Sequence, residues 1–73
     1  MSQLQYIADG YNKDRKRVVL WRLGNYQYQL EVAGKNTNFT AEYYDALERF
    51  KGAVIEVVEA PEDFGTVAQH VYQ

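Results

Sequence analysis

Cysteine is absent from this chain of 73 residues, so disulfides and thiolate metal sites are excluded, and whatever fold forms must hold by its core alone. Serine occurs once, at Ser2, and histidine once, at His70, with no Gly-x-Ser-x-Gly elbow. His70 stands seven residues after Asp63, but a base without a nucleophile or a pocket makes no catalytic site. The five glycines are isolated from one another, which rules out a phosphate-cradling loop. No Asp-x-Asp-x-Asp-Gly loop or His cluster supplies a metal ligand set, so no cofactor and no metal are expected. No apolar run approaches the roughly 18 residues of a membrane span, and the opening MSQLQYIADG lacks the layout of a secretory signal. The expectation is a non-enzymatic, soluble, cytoplasmic domain without membrane contact.

What is present is enough apolar matter for one domain, residues 1–73, with one small core. Eight valines, five leucines, two isoleucines, three phenylalanines and a tryptophan are joined by seven tyrosines. The clearest stretch is Arg17–Val32, RVVLWRLGNYQYQLEV, which reads as two strands joined by a two-residue turn at Gly24-Asn25. Counting outward from that turn pairs Leu23 with Tyr26, Trp21 with Tyr28, Val19 with Leu30 and Arg17 with Val32. Val19, Trp21, Leu23, Tyr26, Tyr28, Leu30 and Val32 then share a core face, because side chains alternate along a strand. Val18, Leu20 and Arg22 fall on the opposite face.

Gln3–Ala8 reads as an earlier strand, and Asp9-Gly10 as the start of a polar loop running to Arg17. Gly34–Asn38 reads as a loop, after which Thr40 is placed to cap a helix from Ala41 to Phe50 or Lys51. Tyr43, Ala46, Leu47 and Phe50 form its apolar stripe, and Gly52 its C-terminal stop. Ala53–Glu59, rich in β-branched residues, predicts a fourth and well-buried strand. Pro61 opens a second amphipathic helix over 62–72, with Phe64, Val67 and Val71 on its apolar side. The expected fold is therefore α+β, a small, mostly antiparallel four-stranded sheet with two helices in the order β-β-β-α-β-α.

Charge is unevenly spread. Residues 1–39 hold six bases and three acids, whereas 40–73 hold two bases and seven acids. Such polarity suits a charged partner or self-association. The candidate partner-binding residues are Lys13, Arg15, Lys16 and Arg17 in the basic loop, with Val18, Leu20 and Arg22 as an apolar patch with a charged rim. Either the second helix or a partner covers Val18 and Leu20. The expected partner is a protein, or a second copy in a homodimer. Nucleic-acid binding through the basic 13–17 loop, with Tyr11 and Trp21 for stacking, is the less favoured alternative in an acidic chain. In size and composition the chain resembles small phage and mobile-element proteins, which implies an accessory or inhibitor role exerted by binding a host enzyme, and transfers no residue.

Overall fold

The computed structural model describes residues 4–62 and 64. Among these residues are five strands and one helix: β1 (Gln5–Tyr11), β2 (Arg17–Gly24), β3 (Gln27–Val32), β4 (Lys35–Thr40), α1 (Tyr43–Ala53) and β5 (Glu56–Glu59). The strands form one sheet in the order β4-β3-β2-β1-β5, every neighbouring pair antiparallel. Among the described residues, the expected four strands and two helices are thus corrected to a mostly-β fold of five strands and a single helix. Most of the second predicted helix lies outside the described residues; of its apolar side, Phe64 is described and Val67 and Val71 are not.

Four consecutive strands make a meander, and α1 then crosses one face of the sheet to return the chain to the far edge as β5. The helix forms where the sequence stripe predicts it. Ala46, Leu47 and Phe50 are fully buried, with Tyr43 and Ala53 packed beside them. They close on Ala8, Val18, Leu20 and Tyr28, which completes the core. Tyr28 stacks on Phe39 at 5.9 Å between ring centres, and Phe50 meets Phe64 edge-on at 6.0 Å. The helix begins later than expected, with Glu42 before its first turn and no side-chain cap, because Thr40 stays in β4 opposite Gln27. It also ends later, carrying Gly52 inside its last turn.

The hairpin exists, but its register is one residue away from the expected one. Val18 pairs with Val32, Leu20 with Leu30 and Arg22 with Tyr28, while an irregularity at Leu23 lets Gly24 pair with Gln27. The turn is therefore Asn25-Tyr26, and positive φ falls on Tyr26 (62°), not on Gly24. A slip of one residue moves every side chain of a strand to the other face. Val18 and Leu20 accordingly lie in the core with no exposed area, whereas Trp21, expected beside Tyr28, lies on the outer face. Tyr26, also expected in the core, is 61% exposed.

Two other segments depart from expectation for physical reasons. Where Gly34–Asn38 reads as a loop leading to a helix cap at Thr40, Lys35–Thr40 is an edge strand, so both its faces tolerate polar side chains and no apolar alternation marks it. Ala33 and Gly34, at φ 52° and 86°, give the tight turn that folds it back on β3. Asp9-Gly10 is not a turn but the middle of β1, and the turn comes at 12–16. There the Asn12 side chain accepts hydrogen bonds from the amides of Asp14 and Lys16, both at 2.9 Å. Gly10 is required by a close approach, since a Cβ there would lie 2.2 Å from the Glu56 carbonyl oxygen of β5.

Candidate functional site

The seven sequence-predicted contact residues do not form one surface. Lys13, Arg15 and Lys16 stand exposed on the β1–β2 turn, with Arg15 at φ 62°. Arg17 turns onto the outer face and binds Asp9, through Nε at 3.1 Å and through its terminal nitrogen at 2.9 Å. Val18 and Leu20 are sealed beneath α1 in the core, which corrects their placement on an open patch. Arg22 is at the opposite end of β2, half-buried on the helix side. There its Nε donates to the Gly24 carbonyl at 3.4 Å and its guanidinium lies 6.0 Å from the Tyr28 ring centre. Five residues of strand, about 17 Å, separate Arg17 from Arg22.

The outer face of the sheet is organised by polar contacts. Asp9, 6% exposed, accepts from the Tyr6 hydroxyl as well as from Arg17. Tyr6 meets Trp21 edge-on at 6.0 Å, and the Trp21 indole N–H donates to Glu31 Oε1 at 3.0 Å. The Tyr6 phenol is pushed up to about 12, first by desolvation, then by its hydrogen bond to Asp9 and the negative field of Asp9 and Glu59, with Arg17 opposing. Gln29 bonds Asn38 across the β3–β4 pair at 3.1 Å. Val19 lies among these groups and is 6% exposed. No buried side-chain polar atom among the described residues lacks a hydrogen-bond partner, and these residues hold no cluster of three or more metal-ligating side chains.

The free edge at β5 is different. Ile55 is 75% exposed, Val58 55% and Val57 41%, with Tyr11 beside them at 40%. One side of β5 pairs with β1, through Asp9–Glu59, Gly10–Val57 and Tyr11–Glu56. The other side has no strand against it among the described residues. Ile55 is fixed at the entrance by its amide, which donates to the Tyr11 carbonyl at 2.9 Å. A groove of about 410 Å³ opens there, lined by Tyr11, Asn12, Arg15, Ile55 and Glu56. It joins the basic turn to the start of β5, so Arg15 is the one predicted contact residue that lines it.

Sequence reasoning missed this edge because Ala53–Glu59 reads as a central strand. The signal that marks it otherwise is the short apolar run Val54–Val58 interrupted and closed by Glu56 and Glu59, since charge at both ends of a short strand is how sheet edges are commonly blunted. No helix of the described residues is long and apolar enough to cross a membrane. No protein-family model, no curated protein and no solved structure matches this chain.

Proposed function

We propose that the chain is a small, non-enzymatic protein-binding module that takes up an extended segment of another protein along the free edge of β5. The observation that carries this reading is the exposure of Val57 and Val58 on one edge strand and of Ile55 immediately before it. An edge of this kind offers unpaired backbone donors and acceptors beside apolar side chains, the two ingredients of strand addition. On the chain's small size and lack of cysteine, the proposal extends to a cytoplasmic setting and an accessory or inhibitory role in which the module occupies a host protein.

The test is retention of a protein by immobilised parent chain compared with the double variant Ile55→Lys/Val58→Lys. Both positions are more than half exposed, so the variant is expected to keep the parent's circular dichroism and thermal midpoint. A protein held by the parent and lost from the folded variant supports strand addition. Equal retention by both sinks it.

Nucleic-acid binding remains the second reading, on the three exposed cations Lys13, Arg15 and Lys16 of one turn. It has less support, because Arg17 is committed to Asp9 and Trp21 to Glu31 and Tyr6. Its mark is an affinity that falls steeply with salt and is lost when all three cations are neutralised.

A further inference from the structure

The two glutamates of β5 point to the partner's chemistry. Residues paired across an antiparallel ladder share a face, so Glu59, opposite Asp9, and Glu56, opposite Tyr11, both belong to the outer side of the sheet. Val57, opposite Gly10, belongs to the helix side. The register irregularity between Asp9 and Gly10, which leaves Val58 as the extra residue, is what brings two glutamates three positions apart onto one face. Asp9 itself is neutralised by Arg17, but no cation pairs with Glu56 or Glu59 among the described residues.

We infer, resting on the strand-addition reading above, that the segment taken up by β5 belongs to a different protein and alternates cationic with apolar residues. Pairing as β1 does and passing over Val58, it sets its lysines or arginines opposite Glu56 and Glu59, and its apolar residues continue the helix-side layer past Val57. A second copy of this chain fits badly. Antiparallel pairing of β5 with itself, in the register that matches all four residues, sets Glu56 of each copy against Glu59 of the other. Like charges placed directly opposite each other destabilise a ladder, whereas opposite charges stabilise it. The β4 edge of a second copy offers one cation, Lys35, in six residues. The glutamates therefore act as a filter, closing the edge to self-pairing while leaving it open to a basic strand.

The inference is tested on the full chain with two fluorescent seven-residue peptides, one alternating valine with lysine and the other valine with glutamate. A third version of the lysine peptide carries N-methyl groups on alternate backbone nitrogens. The lysine peptide is expected to bind at least tenfold tighter than the glutamate peptide, and the N-methylated version to lose binding. The exposed double variant Glu56→Lys/Glu59→Lys is expected to reverse the order of the two peptides. Equal binding of both charged peptides would overturn the charge filter while leaving strand addition standing. Failure of both to bind would overturn strand addition as well, as would slow hydrogen exchange, in the isolated chain, of those β5 amides that do not donate to β1. That last result would mean that another part of the chain already occupies the edge. Sedimentation of the parent as a dimer that becomes a monomer when Val58→Lys is introduced would overturn the exclusion of a second copy.

Discussion

Gly10→Ala isolates a place where the fold depends on a missing side chain. The added Cβ would lie 2.2 Å from the Glu56 carbonyl oxygen and 3.2 Å from both the Glu56 carbonyl carbon and the Val57 Cα. Carbon–oxygen contacts between strands ordinarily sit at about 3.3–3.6 Å, so β5 must retreat by about 1 Å. The obstructing atoms are backbone and cannot rotate away. Overpacking of this kind costs about 1–3 kcal/mol, and the upper half of that range applies because the retreat also breaks the ladder between β1 and β5. For a domain of this length, a loss of about 2–3 kcal/mol corresponds to a drop of roughly 10–20 °C in Tm. Hydrogen exchange should show the damage to be local: β5 and the Ile55 amide lose protection, while β2 and β3 keep theirs. Gly52→Ala is the control, since a Cβ there meets nothing within 4 Å. In a helix that change is expected to stabilise by about 0.5 kcal/mol. A Gly10→Ala protein within about 0.5 kcal/mol of the parent, with β5 still protected, would refute the reasoning.

Two further outcomes follow from the core and the outer face. Leu20→Glu places a charge in a site with no exposed area, and the chain is expected to lose cooperative unfolding altogether; a folded variant would contradict the assignment of Leu20 to the core. Tyr6 sets a pH dependence. Its folded-state pKa is raised from 10.0 to about 12, so the folded protein holds the proton more tightly than the unfolded chain does. The stabilisation is complete below pH 10 and declines as pH rises from 10 towards 12. In Tyr6→Phe that part of the alkaline decline should vanish, and chemical denaturation at pH 9, 10 and 11 would fail to separate the two proteins if the phenol were unperturbed.

How far the fold was legible depended on the element. The stripe Tyr43, Ala46, Leu47 and Phe50 announces α1, because burial on one side of a helix leaves a periodic mark. The β2–β3 hairpin was legible as a pair of strands but not in register. Gly24-Asn25 is a favourable turn dipeptide, yet the extra residue at Leu23 moves the turn to Asn25-Tyr26 and inverts β2 relative to β3. That single displacement put Val18 and Leu20 on the wrong face, and with them the expected contact patch. β4 was invisible because KNTNFT has no apolar face to show. Gly10 was misleading for another reason: glycine serves turns and close backbone contacts alike, and its neighbour Asp9 favours the first interpretation. The β5 edge was hidden by composition, since AVIEVVE suits a buried strand as well as an exposed edge waiting for a companion.

Trp21 stands on the outer face, edge-on to Tyr6 of β1 and tied to Glu31 of β3. As the chain's single tryptophan, it makes intrinsic fluorescence a local optical reporter of the three central strands. Emission should follow the melting of the meander yet stay nearly silent when only β5 lets go. Exciting at 295 nm while recording far-ultraviolet dichroism would therefore separate edge release from global collapse in one unlabelled sample.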